Sequence, residues 1–123
     1  MSHGPASKML VDLRHEIAQL DAQMILCLLK RLQCAEAIAE CKFNLELPLR
    51  APDAEHSVME RNLDLAKQLG LAKPLVSALT QFLIEASVHS QETYLAQRLR
   101  ELGDDEKTGA DPLPRKPQTR SVR

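Results

Sequence analysis

Three cations on one predicted helix are the side chains in this sequence best placed for chemistry. Arg31 and Lys42 are eleven residues apart, close to three helical turns, so both point to the same side about 16 Å apart. Arg14 precedes Arg31 by seventeen residues, which places it about 100° away around the helix. On a later helix, Ser87 and Gln91 are i, i+4 neighbours on one face.

These residues allow two interpretations. If two chains contribute, the cations and the polar pair would form a binding site for an anion. Alternatively, Arg14 and Lys42 are solvated, and Arg31 extends its charged end from an apolar stripe to the surface. The spacing alone leaves both interpretations open.

Other reactive residue types lack the spacing that their usual chemistry requires. Cys27, Cys34 and Cys41 are seven residues apart, about 10 Å along a helix, which is beyond disulfide reach and wider than the usual spacing of zinc ligands. They are predicted to be small buried hydrophobic residues. The sequence has no nucleophile elbow and no Gly-rich phosphate loop. We therefore expect neither a metal nor a cofactor.

Glycine and proline divide the chain into three predicted helices. The stretch from Ala6 to Leu47 contains neither residue and is rich in Leu, Ala, Glu and Lys, which predicts one long helix, and the link Asn44–Ala51 is predicted to be a loop. A second helix is predicted from Pro52 to Leu69 and a third from Pro74 to Leu102, each followed by a glycine. The predicted fold class is all-α, with one very long, one short and one long helix.

The apolar pattern of the long helix predicts a second chain. Its seam residues alternate three and four apart, as in a heptad repeat: Leu10, Leu13, Ile17, Leu20, Met24, Cys27, Arg31, Cys34, Ile38 and Cys41. Such a helix is about 50 Å long, whereas a compact domain of this size is about 35 Å across. The seam would extend beyond any monomeric core, so we expect an intertwined two-fold homodimer.

Composition excludes several classes of function. The 16 Lys and Arg nearly balance the 17 Asp and Glu, which argues against a nucleic-acid binder. No apolar run is long enough to span a membrane, and residues 1–8 lack the apolar core of a secretory signal, so a cytoplasmic location is expected. With 2% aromatic residues, a β-sandwich is disfavoured.

Three parts are predicted along the chain. Residues 1–7 form a flexible N-terminus, residues 8–102 the helical domain, and residues 103–123 a disordered, charged tail that contains prolines. The tail is interpreted as a solubilising segment, with weak binding of an acidic partner as the alternative.

In order and spacing, residues 8–100 resemble the all-helical chorismate mutase family. The matching residues are Leu13, Arg14, Ile17, Leu20 and Asp21 at the start, then Leu28, Leu29, Arg31, Ala39 and Lys42, then Pro48 and Glu55, and finally Ile84, Glu85, Ser87 and Gln91. The resemblance implies an intertwined three-helix dimer that converts chorismate to prephenate. The expected partners are a dianionic small-molecule substrate and a second copy of the chain that shares the sites, with no nucleic acid and no membrane.

The resemblance implies roles on two sides of that substrate. Lys42 and Gln91 correspond to residues that contact the ether oxygen, and Glu55 to a glutamate near the C4 substituent. Arg14, reaching in from the partner chain, and Arg31 correspond to arginines that bind the two carboxylates. Ser87 corresponds to a further polar contact to a carboxylate, and Lys42 also to a carboxylate contact. The rearrangement is pericyclic, so it needs orientation and electrostatic stabilisation instead of a nucleophile, metal or cofactor.

Two positions depart from the family pattern. Ala51 stands where the family commonly has Asp, and Ala54 where it has Arg, both beside the substrate's C4 group. The missing arginine leaves 4-amino-4-deoxychorismate open as the substrate, because its removal favours a cation at C4, whereas the missing aspartate argues the other way. An isochorismate–pyruvate lyase and a non-catalytic helical dimer are the remaining alternatives.

Overall fold

A computed structural model describes residues 4–107 of the chain, with side chains described through residue 104. Within that range the chain forms three helices and no strand: α1 (Gly4–Leu45), α2 (Pro52–Leu69) and α3 (Lys73–Lys107). The predicted all-α class, with one very long, one short and one long helix, is confirmed. No helix in the described range is both long and apolar enough to cross a membrane.

Helix α1 ends without the glycine that usually permits such a stop. Glu46 adopts a left-handed conformation with φ 58°, and the amide of Leu47 donates to the carbonyl of Lys42 at 2.8 Å. The amide of Glu46 also bonds to the carbonyl of Phe43 at 3.3 Å. This is the hydrogen-bonding pattern of a Schellman motif. The chain therefore turns at Glu46, directly after the helix ends at Leu45, and the connecting loop is shorter than the predicted Asn44–Ala51.

Helix α2 begins and ends at the predicted residues. Pro52 occupies its first turn together with Asp53 and Glu55, where a missing N–H is harmless and negative charge is favourable. Gly70 closes the helix with φ 74° and ψ 23°, a left-handed conformation that glycine adopts without steric cost.

Helix α3 contradicts the predicted stop at Gly103. The helix begins at Lys73, one residue before Pro74, and continues through Gly103 to Lys107. Glycine disfavours a helix interior by only about 1 kcal/mol, which the surrounding helical residues overcome here. Residues 103–107 of the predicted tail are thus helical, and residues 108–123 lie outside the described range. At the other end of the chain, α1 begins at Gly4, within the predicted N-terminal segment 1–7, whose flexibility stays a prediction.

The chain divides into two compact units, residues 1–33 and 34–123. The described part of the first unit is helical throughout and buries no side chain. Its seam residues are about half exposed, as in Leu10 at 49% and Met24 at 61%. Cys27, Cys34 and Cys41 are also exposed, so the prediction that they are buried fails within a single chain. Within the described part of this unit, no other element packs over the seam residues.

The second unit contains the core. Helix α2 packs against α3, and the buried apolar side chains include Ala66, Ile84 and Val88. Thr80 is fully buried, and its hydroxyl accepts a hydrogen bond from the Asn62 amide at 3.0 Å. Packing of α2 on α3 removes the Thr80 hydroxyl from water, and the hydrogen bond from Asn62 replaces the lost contact with solvent.

Candidate functional site

The Lys42 ammonium and the Gln91 side-chain amide lie together in the second unit. Lys42 Nζ donates to Gln91 Oε1 at 2.9 Å. Lys42 is half-buried, and Gln91 is only 6% exposed. An ammonium group has donors and no acceptor, so the oxygen of the Gln91 amide must face it. The Gln91 Nε2 group is therefore the end of the amide that can donate to a ligand.

A loop carbonyl provides the second acceptor for Lys42. Its Nζ donates to the carbonyl oxygen of Leu49, which the reversal of the chain at Glu46 returns toward the last turn of α1. An ammonium has three donors, and these two acceptors occupy two of them. Among the described residues, one Lys42 donor is thus left for an anionic or ether oxygen.

Arg50, in the same loop, joins the start of α2 to α3. Its guanidinium donates to both carboxylate oxygens of Glu55, at 3.1 and 2.9 Å. It also donates to both oxygens of Glu85, at 3.3 and 3.0 Å. Because two guanidinium nitrogens bind both oxygens of a carboxylate, each ion pair also fixes the relative orientation of the two side chains. Although all three groups are at least partly exposed, the arrangement holds the loop against both helices.

These ion pairs keep Glu55 ionised. The hydrogen bonds from Arg50 lower the pKa of Glu55 below its ordinary value, against the opposing effect of burial, and the charge of Lys42 adds to the lowering. The two carboxylates in turn raise the pKa of Arg50. Near neutral pH the Glu55 carboxylate is therefore negative and already compensated by a guanidinium.

Glu40 forms a separate cluster on the same stretch of α1. One of its carboxylate oxygens accepts from the Tyr94 hydroxyl at 2.9 Å and from Arg98 Nε at 3.2 Å. Its other oxygen accepts from Asn44 at 3.4 Å, and the Arg98 guanidinium lies 5.4 Å from the centre of the Phe43 ring. Burial raises the pKa of Glu40, but the hydrogen bonds from Tyr94 and Arg98 outweigh it and lower that pKa overall.

Sequence reasoning missed both Arg50 and the Glu40 cluster. A faint signal existed for each, since Arg50 directly precedes the acidic first turn of α2, and Gln91, Tyr94 and Arg98 share the spacing of one helix face. Neither signal identifies Glu85 or Glu40 as the partner, because those contacts join residues 35 and 54 positions apart.

The remaining predicted site residues fall into two groups. Ser87 is half-buried one turn before Gln91 on α3, Ala51 is half-buried, and Ala54 is exposed in the first turn of α2. Ala51 lies at the N-cap without a side-chain capping bond, and its carbonyl accepts from the amide of Glu55 at 2.9 Å.

Arg14 and Arg31 belong to the first unit, where Arg14 is exposed and Arg31 half-buried. Their part in a site with Lys42 stays a prediction.

A surface cleft elsewhere carries no comparable chemistry. It measures about 570 Å³ and is lined by α2 and the turn that follows it, including Glu60, Asp64, Lys67 and Lys73. None of the predicted substrate-binding residues lines it. In the range that the structure describes, no cluster of three or more His, Cys, Asp or Glu side chains could hold a metal ion.

We expect the substitution Arg50→Ala to raise the pKa of Glu55 toward its ordinary value, because it removes the guanidinium that favours the carboxylate. A lowered carboxyl pKa contributes stability above the unfolded-state pKa, about 4.3, and loses it as pH falls through the folded-state value. Wild-type protein should therefore lose more stability than Arg50→Ala between pH 5 and 3, roughly the range in which such carboxyls titrate.

Carbon-13 NMR titration of the Glu55 carboxyl and urea unfolding at each pH measure these two effects. Arg61→Ala is the matched control, since it removes an exposed guanidinium from α2. Identical Glu55 titrations in wild type and Arg50→Ala would contradict the assigned cause.

Comparison with known proteins reveals matches over most of the helical region. A family model described as chorismate mutase type II matches residues 13–92. The bifunctional chorismate mutase/prephenate dehydratase of Escherichia coli K12 is 31% identical over 93 residues, covering 76% of this chain and 24% of that protein. The corresponding Buchnera aphidicola protein is 31% identical over 91 residues, covering 74% of this chain and 24% of its own length.

A shorter relative matches over nearly its whole length. The chorismate mutase of Methanocaldococcus jannaschii is 26% identical over 88 residues, covering 72% of this chain and 89% of that protein. By contrast, this chain spans about a quarter of the length of the bifunctional relatives. The family match includes Arg14, Arg31, Lys42 and Gln91 within its bounds. This chain therefore belongs to the type II chorismate mutase family.

Proposed function

We propose that this protein is an isomerase that converts chorismate to prephenate. The observation that carries the proposal is the buried Gln91 amide, whose oxygen is held by Lys42. This pair presents two kinds of donor, an ammonium hydrogen and an amide hydrogen, on the same side of α3. Such donors suit a reaction in which negative charge grows on a single ether oxygen.

The pair contributes by preorganisation. A pericyclic rearrangement transfers no proton to the protein, so the protein accelerates it by holding the reactive conformer and by stabilising charge that is larger in the transition state. Lys42 is itself oriented by Gln91 and by the Leu49 carbonyl. The donors therefore need little reorganisation when the ether bond breaks.

The substrate's carboxylates require further cations. On the family resemblance, Arg31 and Ser87 of one chain and Arg14 of a second chain bind them. Support for a second chain comes from α1, where Leu13, Ile17 and Leu20 are 48–58% exposed. Apolar residues repeated along one helix in this way favour burial against another helix. We infer a two-fold homodimer in which each site takes Arg14 from the partner.

Which substrate the protein converts depends on the residues near the substrate's C4 group. The absence of an arginine at Ala54 favours 4-amino-4-deoxychorismate as the second candidate. The absence of an aspartate at Ala51 argues against it, because it removes a negative charge that would attract a C4 ammonium. Arg50 favours chorismate, because it compensates the Glu55 carboxylate that would otherwise attract a C4 ammonium. A hydroxyl can still donate to a carboxylate that is paired with arginine. We therefore place chorismate first.

Lys42→Ala and Gln91→Ala should each lower kcat/KM for chorismate by about 10²–10³, since each removes a donor aimed at developing charge. Gln91→Glu should be poorly active at neutral pH and gain activity as pH falls, because only the protonated acid can donate. Gln97→Ala, which alters an exposed glutamine of the same helix, serves as the control. Wild-type turnover by either alanine variant of the pair would overturn the site assignment.

The Ala54→Arg variant tests whether the natural substrate carries a hydroxyl or an ammonium group at C4. An arginine about 4 Å from a C4 ammonium costs on the order of 1–4 kcal/mol, so turnover of 4-amino-4-deoxychorismate should fall about tenfold or more while that of chorismate is kept. His56→Arg, which places an arginine at an exposed position about 200° around α2 from Ala54, is the control. The comparison needs purified protein assayed with chorismate, isochorismate and the amino compound, each product being identified.

The assay also separates the remaining alternatives. Release of pyruvate from isochorismate would identify the protein as an isochorismate–pyruvate lyase instead of a mutase. A lack of turnover with all three compounds would favour a non-catalytic helical dimer. If Ala54→Arg leaves the ratio of the two mutase efficiencies within about twofold of wild type, position 54 does not contact C4.

Sedimentation should find a dimer at micromolar concentration, because the seam of α1 is exposed in one chain. Leu20→Glu places a charge on that seam and should dissociate the dimer. Ala22→Glu adds the same charge on the other side of the helix, about 200° away, and should leave it intact. A folded wild-type monomer would contradict the proposed assembly.

A further inference from the structure

The Glu40 cluster takes no part in the proposed chemistry, yet it joins the same two helices, α1 and α3, that carry Lys42 and Gln91. We propose that Glu40 and Tyr94 are positioning residues that fix the rotation of α1 about its axis, so that Lys42 meets Gln91. The inference rests on the proposed function in one respect, since the pair being positioned is the one assigned to the ether oxygen. The contacts that carry it are independent of any substrate.

The geometry of α1 puts the two attachments on opposite sides of its buried face. Ala35 and Ala39 are each 2% exposed and mark that face. At about 100° per residue, Glu40 lies about 100° to one side of Ala39 and Lys42 about 60° to the other. Rotation of α1 that draws one side chain toward α3 therefore withdraws the other.

The partners on α3 lie along a single stripe. Gln91, Tyr94 and Arg98 are spaced by three and four residues, so they follow one face of the helix. Gln91 receives Lys42 at one end of the stripe, and Tyr94 and Arg98 receive Glu40 further along. Two separate bonds between the same two helices restrict both rotation and sliding, whereas a single bond restricts neither completely.

Glu40 is the stiffer of the two attachments. Lys42 reaches Gln91 through a four-carbon chain that adapts to small shifts of the backbone. Glu40 has a shorter chain with partners on both carboxylate oxygens. Tyr94 has a rigid ring, and Arg98 lies over Phe43. The position of the flexible Lys42 side chain thus depends on the stiffer Glu40 cluster.

The test uses variants of Glu40 and Tyr94 with two readouts in the full-length protein. Glu40→Ala removes the acceptor, Glu40→Gln keeps an oxygen for Tyr94, and Tyr94→Phe deletes a single hydroxyl. Glu36→Ala is the matched control, because Glu36 is an exposed glutamate one turn earlier on α1. The readouts are the NMR resonances of the Gln91 side-chain amide, assigned by their loss in Gln91→Glu, and the separate values of kcat and KM for chorismate.

We expect Glu40→Ala and Tyr94→Phe to shift the Gln91 amide resonances and to lower kcat by about three- to tenfold, with KM within about twofold, because misplacement of the donors acts mainly on the transition state. Glu40→Gln should recover most of both effects, and Glu36→Ala should resemble wild type. Tyr94→Phe changes one atom, so it carries the test even where Glu40→Ala unfolds.

Unchanged Gln91 resonances in both Glu40→Ala and Tyr94→Phe would overturn the proposal. Equal effects of Glu36→Ala and Glu40→Ala would also overturn it, because they would reflect charge alone. If wild type turns over none of the chorismate compounds, the proposed function fails, yet the Gln91 resonances still decide whether Glu40 and Tyr94 position that side chain.

Discussion

The hydrogen bond from Lys42 to Gln91 is the interaction on which the candidate site depends. It joins the last turn of α1 to the middle of α3 and fixes which end of the Gln91 amide faces outward. An ammonium group needs acceptors when it is partly buried, and Lys42 finds a second one in the Leu49 carbonyl. A single side chain thereby ties together the end of α1, the loop that follows it and α3.

Helix α3 serves as the common support for the charged groups of the second unit. Three of its residues, Glu85, Gln91 and Tyr94, each receive a side chain from an earlier part of the chain. It packs against α2, and buried apolar side chains such as Ala66 and Ile84 lie on these two helices, so the support is itself held by packing. Polar residues can then be arranged for a ligand while the apolar core supplies the stability.

Charge is distributed unevenly between the two sides of the proposed site. On the proposed ether side, the hydrogen bonds of Lys42 within the described range go to neutral oxygens of Gln91 and Leu49, so no carboxylate is hydrogen-bonded to its ammonium. On the C4 side, Arg50 is bound to two carboxylates, so its charge is already matched. The first arrangement suits the stabilisation of new negative charge, and the second suits a neutral substituent.

The fold class and much of the local structure follow from local sequence preferences. Pro52 and Gly70 bound α2 through backbone effects that any context would produce. Helical periodicity converts spacing into direction, so it places Arg31 and Lys42 on one side of α1 but leaves both an anion site and solvated cations open. The family resemblance needs the longer set of matching residues along 8–100. Where local preference was weak, the same reasoning failed, as at Glu46, which ends α1 without glycine, and at Gly103, which does not end α3.

Which side chains meet depends on how the helices pack. Glu40 with Tyr94, and Arg50 with Glu85, are joined across long stretches of chain by the packing of separate helices. Nothing local in the sequence distinguishes these carboxylates from solvated neighbours such as Glu36. The reason is physical: helical periodicity sets the direction of a side chain on its own helix, whereas its partner depends on the distance and rotation between helices, which the whole core sets.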